Sequence, residues 1–186
     1  MNGLKDTENG KRRMFNKKRP IHQLNLKKEL KNKKDEIIKD VLKAKRKHDQ
    51  IETTNYNFEV ASLHNDYLYD LFIKKSRKLL NPFTIKDPQL KVWGYFTGLG
   101  NQQEDIWHNH IRTSNINSVI YLKTLKDQGI KFKMGEESWY VEPKNFDMLI
   151  FPGFLNHLPV TSSTQQRISL NLELKCNETD RDIFGL

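Results

Sequence analysis

From Pro88 onward the sequence breaks into short runs of β-branched and aromatic residues punctuated by glycine-containing or polar turns, and no other feature narrows the accessible folds so far. The spacing predicts strands over 91–97, 118–122, 130–134, 138–141, 148–151 and 167–174. Between them lie Gly98-Leu99-Gly100, Asp127-Gln128-Gly129, Gly135-Glu136-Glu137 and Pro152-Gly153, residue types that favour tight turns. Six or more short strands with this spacing point to a mainly β sandwich or jelly roll rather than to a parallel sheet.

The first 80 residues read differently. Leu26, Leu30, Ile37, Ile38, Val41 and Leu42 recur at spacings of three and four, which predicts an amphipathic helix over 26–48. A second helix is predicted over 65–80, with Tyr67, Leu68, Leu71, Phe72 and Leu79 facing a core and Asn81-Pro82 ending it. Residues 1–24 are polar, basic and too poor in apolar side chains to offset the entropy of ordering, so they read as a flexible tail. The expected organisation is that tail followed by one domain over 25–186, with amino-terminal α-helices at 25–80 and a jelly-roll core at 88–176.

Charge follows the same division. Residues 1–50 carry 17 Lys or Arg against 7 Asp or Glu, and the other 136 carry 15 against 16, so the formal charge of +9 belongs to the amino-terminal segment. Such a segment can make weak, salt-sensitive contact with a polyanion, although a solvated helix face is the plainer reading. The single cysteine, Cys176, cannot form an internal disulfide. No apolar run approaches the roughly 18 residues a membrane span needs, and no secretory signal opens the chain. These features predict a cytoplasmic protein with no membrane partner.

Three of the six histidines, His108, His110 and His157, fall within the strand-rich half. Residues two apart on an extended segment project to one side, so His108 and His110 can aim at a common point. His157 follows the apolar run at 148–151 and can complete one face of a metal's coordination sphere, leaving positions open for small ligands. Ten residues on, Arg167 begins the strict alternation Arg167-Ile168-Ser169-Leu170-Asn171-Leu172-Glu173. On a strand, Arg167, Ser169 and Asn171 share one face, while Ile168, Leu170 and Leu172 fill a core on the other. A buried guanidinium requires a partner, and a dicarboxylate offers one in bidentate geometry; the Ser169 hydroxyl can join it.

Trp107-His108-Asn109-His110, Ser118-Val119-Ile120-Tyr121-Leu122, Ile130-Lys131-Phe132, Val141-Glu142-Pro143, Leu149-Ile150-Phe151-Pro152, His157 and Arg167-Ile168-Ser169 together resemble the 2-oxoglutarate- and Fe(II)-dependent oxygenase superfamily. Within it they are similar to uncharacterised oxygenases of marine bacteria and their tailed phages, which resemble prolyl hydroxylases. The likeness spans roughly residues 91–174. It implies a double-stranded β-helix with Fe(II) on His108, His110 and His157, and 2-oxoglutarate chelating the metal with its far carboxylate on Arg167. It also implies dioxygen as oxidant; Tyr95 and Ser118 can add co-substrate contacts if their strands line the mouth, and are otherwise packing or loop residues. The expected primary substrate is a peptide side chain ahead of a nucleic acid, and a virus-infected bacterial host is one setting. The sequence departs from the family's usual histidine, any residue, carboxylate pattern by placing His110 at the carboxylate position.

Competing readings stand beside these. A histidine pair spaced by one residue can be two surface side chains, and Trp107, Tyr121 and Phe151 read as core aromatics. His22, His48 and His64 have no partners at ligand spacing. Glu104, Asp105 and Asn156 are either groups that orient imidazoles or solvated loop residues. A cupin-like jelly-roll module without turnover, a nucleic-acid-modifying oxygenase, and a metal enzyme that ignores 2-oxoglutarate are the alternative functions.

Overall fold

The computed structural model describes residues 17–49, 64–97, 107–160 and 167–186 together with short strands at 4–5, 13–14 and 57–59; of 4–5, 13–14, 48–49, 57–59 and 87–97 it describes the backbone alone. In chain order the elements are β1 (Leu4–Lys5), β2 (Arg13–Met14), β3 (His22–Asn25), α1 (Lys27–Leu30), α2 (Lys34–Asp49), β4 (Asn57–Glu59) and α3 (Asn65–Leu79). There follow β5 (Ile85–Thr97), β6 (Ile116–Lys123), β7 (Ile130–Met134), β8 (Glu137–Val141), β9 (Asp147–Pro152), β10 (Asn156–Pro159), β11 (Arg167–Cys176) and α4 (Asp180–Phe184).

The strands β3-β9-β6-β11-β5-β4 form an antiparallel six-stranded sheet, and β10-β7-β8 form a smaller one. The β7–β8 hairpin turns through Gly135-Glu136, with Gly135 at φ 61°, a left-handed value that glycine accepts without steric cost. This is the mainly β jelly roll with amino-terminal helices that the strand spacing predicts.

The alternation along β11 divides the interior in two. Ile168, Leu170, Leu172 and Leu174 pack with Ile116, Ile120, Met148 and Ile150 of neighbouring strands against Leu30, Ile37, Val41, Leu68, Phe72 and Ile183 of the helical layer. On the opposite face Val119, Tyr121 and Leu149 meet Ile130 and Phe132 of the small sheet, with Phe151 and Leu155. The large sheet is therefore buried on both sides, and β6 is buried at its first seven positions.

Three sequence expectations need adjustment. His22–Asn25 pairs with β9 as an edge strand, so part of the stretch assigned to a tail belongs to the large sheet. The helix expected over 26–48 is interrupted by a turn at 31–33, yet Leu26, Leu30, Ile37 and Val41 all reach the core. The strand expected from 91 begins at Ile85 and runs through Pro88. Its register with β11 slips between Glu173 and Lys175, opposite the proline, which has no N–H to give to the ladder.

The corner after β9 is fixed by the carboxyl terminus. The Asp180 carboxylate accepts hydrogen bonds from Asn115 Nδ2 at 2.7 Å and from the Phe154 N–H at 3.1 Å. Thr179 caps α4 by accepting from the Asp182 N–H, and Gly185 ends it in the left-handed conformation. Gly153 has no room for a side chain, because a Cβ there would lie 2.0 Å from the Ser114 carbonyl oxygen.

Two stability outcomes are expected. Leu170→Ala, at a fully buried position, lowers the unfolding free energy by about 2–5 kcal/mol in urea melts. Gly153→Ala lowers it by about 1–3 kcal/mol through overpacking, although it adds only a methyl group.

Candidate metal centre

The centre is built at the edge of the small sheet. His108 and His157 form an antiparallel bridge in which each N–H donates to the other's carbonyl, at 3.1 and 2.9 Å. Directly opposed residues in such a pair send their side chains to the same face, and the two imidazole centroids stand 4.2 Å apart. His110 enters by a third backbone bond, its N–H donating to the Gly153 carbonyl at 2.8 Å, and its ring lies 5.5 Å from that of His108 and 5.1 Å from that of His157. Asn109 between them donates to Asn156 Oδ1 at 2.8 Å, so Asn156 ties the two chain segments together. One nitrogen from each ring falls within 4.8 Å of the others, close enough for a single ion to bridge all three.

Hydrogen bonding turns the rings toward that point. His157 is buried, and its Nδ1–H donates to the Leu155 carbonyl at 3.0 Å, which leaves the Nε2 lone pair for a ligand role. Burial, reinforced by the neighbouring imidazoles of His108 and His110, pushes the His157 pKa down to about 3, so the ring is neutral at ordinary pH. Neutral imidazole is the form that binds a metal. Phe151 and Phe132 wall the ring at centroid distances of 5.0 and 6.2 Å. His110 Nδ1 lies 3.1 Å from Glu173 Oε1, which likewise frees Nε2.

Arg167 lies on the face of the large sheet that carries Tyr121 and turns toward the small sheet, 2% exposed. Its Nη1 donates to the carbonyls of Gly129 at 3.0 Å and Val160 at 3.2 Å, and its guanidinium carbon lies 5.7 Å from the Tyr121 ring centroid. Val160 follows His157 by three residues, so this anchor is about 10 Å along an extended chain from the histidine. Burial pushes the Tyr121 phenol up to about 12, and it stays an uncharged hydroxyl. Ser169 shares the face, and its buried Oγ has no hydrogen-bond partner among the described residues. A dicarboxylate reaching from the histidines toward Arg167 would meet both groups.

Not every expected residue joins the site. Ser118 is opposite Leu172 and Ile150 in the ladders, so it faces the helical core and not the side that holds Arg167. Tyr95 is opposite Ser169 and shares its face by register, while its side chain lies outside the described residues, as do Glu104 and Asp105. Trp107 is 40% exposed and is no core residue, because its segment runs along the outer edge of the small sheet; Tyr121 and Phe151 are buried as expected. His22 lies 6.3 Å from the Phe184 ring, and His64 contacts Glu36, both on the helical side. The sequence reading passed over Glu173, although the alternation that selects Arg167 and Ser169 selects it as well.

No protein-family model and no curated protein matches the sequence. Solved structures do. A prolyl 4-hydroxylase from Pseudomonas putida superposes with a TM-score of 0.57 at 11% identity, covering 84% of this chain and 92% of that one. One from Phytophthora capsici gives 0.60 at 11%, covering 88% and 61%. A prolyl hydroxylase from Trichoplax adhaerens, in complex with a hypoxia inducible factor oxygen degradation domain peptide fragment, gives 0.56 at 14%, covering 84% and 83%. With so few identical residues the shared property is the arrangement of the backbone, and the chain therefore has the fold of the prolyl hydroxylases.

Proposed function

We propose that the chain is a dioxygenase dependent on Fe(II) and 2-oxoglutarate that hydroxylates a peptide side chain. The observation that carries this reading is the convergence of one ligand atom from each of three imidazoles to within 4.8 Å, together with a buried arginine bonded to the Val160 carbonyl just beyond the strand of His157. The fold shared with prolyl hydroxylases supports it, and the peptide bound to the Trichoplax protein supports the substrate class.

In this reading His108, His110 and His157 hold the iron, Arg167 and Ser169 receive the far carboxylate of 2-oxoglutarate, and Tyr95 shares their face. Bound iron supplies the chemistry by which dioxygen oxidatively decarboxylates 2-oxoglutarate to succinate and carbon dioxide and hydroxylates a carbon–hydrogen bond. The chain's own work is to orient and exclude. The Leu155 carbonyl fixes the His157 tautomer, Phe132 and Phe151 keep water from its ring, and three protein ligands leave coordination positions for co-substrate and oxygen. Arg167 is preorganised by the Gly129 and Val160 carbonyls, so little side-chain entropy is lost when a carboxylate arrives.

His110 in place of a carboxylate favours a second reading, a metal-binding jelly roll without turnover. Anaerobic addition of Fe(II) and 2-oxoglutarate separates the two. The dioxygenase reading expects a weak visible charge-transfer band and, with oxygen, succinate; metal uptake with neither identifies the binding module. Arg167→Met is expected to weaken 2-oxoglutarate binding at least about 30-fold, from the roughly 2–5 kcal/mol lost when one member of a buried charge pair is removed, while metal uptake persists. Removing residues 1–19 is expected to leave metal and 2-oxoglutarate affinity unchanged in calorimetric titrations; loss of both would show the tail to be part of the domain.

A further inference from the structure

The three proposed ligands are all neutral, so a divalent ion among them would keep its full charge of two, whereas two histidines and a carboxylate would leave one. Glu173 lies where it can restore the difference. Its Oε1 is 3.1 Å from His110 Nδ1, and the two side chains are 14% and 24% exposed, so the contact is partly shielded from solvent. The carboxylate stands behind the ring: the cluster of potential ligand atoms within 4.8 Å contains the three histidines and not Glu173. Position 173 is reached from Arg167 by three steps of the β11 alternation, which puts both on the face turned away from the helices, and it is opposite Asn117 of β6, a buried polar residue.

We infer that Glu173 is a positioning residue that acts through His110, and that the His110–Glu173 pair takes the place of the missing carboxylate ligand. Accepting the Nδ1–H does two things. It holds the ring in the tautomer whose Nε2 faces the centre, and it makes the imidazole a stronger donor by placing a negative charge one hydrogen bond behind it. The net charge around the ion then equals that of a site with a directly bound carboxylate. The inference rests on the proposed metal centre and concerns only how that centre is balanced.

Co(II) alone, titrated into the full chain without 2-oxoglutarate and followed by its visible absorption, is the probe. Glu173→Gln keeps the shape of the side chain and removes its charge. It is expected to weaken Co(II) binding about 10–100-fold and to shift the absorption envelope, with the metal-free melting temperature retained. In the His110→Asp background, where a carboxylate coordinates directly, the same change is expected to cost less than about threefold, because the charge behind the ligand is no longer required. Equal losses in the two backgrounds, or wild-type affinity in folded Glu173→Gln, would overturn the inference and leave the metal centre standing. Failure of the unaltered chain to take up Co(II) would remove the centre and the inference together.

Discussion

Two backbone hydrogen bonds between His108 and His157 join the 107–110 segment to the edge of the small sheet, and the rest of the site is arranged around them. They belong to the same class of interaction as any ladder bond, yet their consequence is chemical. By making the two residues a directly opposed pair, they fix two imidazoles side by side without any long side chain having to find its place. The Gly153 carbonyl then draws in the His110 N–H from the corner after β9, and Asp180 holds that corner from the opposite end of the sequence. The centre thus inherits its geometry from the sheets and from a carboxyl-terminal cap, which is the economical way to hold ligands to within fractions of an ångström.

The second organising element is β11. Its leucines and isoleucine seal the large sheet against the helices, and its polar residues take the opposite face, from Arg167 at one end to Glu173 at the other. One strand therefore carries both the stability of the fold and the polar floor of the site. A slip of one residue would bury the arginine among leucines and turn those leucines toward the small sheet, so the hydrophobic core itself enforces the register that the proposed site requires.

How far this could be read beforehand depended on whether a segment keeps its periodicity. β11, with its strict alternation, gave the faces of Arg167 and Ser169 correctly, and α3 kept a clean helical stripe up to Asn81-Pro82. β6 is buried on both faces, so Asn117, Ser118 and Val119 offer no polar and apolar sides to tell apart, and Ser118 was assigned to the wrong one. β3, β4 and β10 are four residues long or less and are defined by their partners more than by their composition. The histidine triad was legible because spacing and strand placement agreed; the Glu173 contact was not, since it depends on where the loop at 107–115 crosses β11.

The central claim, three imidazoles around one divalent ion, is tested most directly by X-ray absorption of the Fe(II)-loaded protein under anaerobic conditions. Imidazole rings leave a characteristic outer-shell scattering pattern, and the account predicts that three of them are required to fit it, with oxygen donors completing the sphere. A fit needing one imidazole or none would contradict the account, whatever affinity the protein showed for iron.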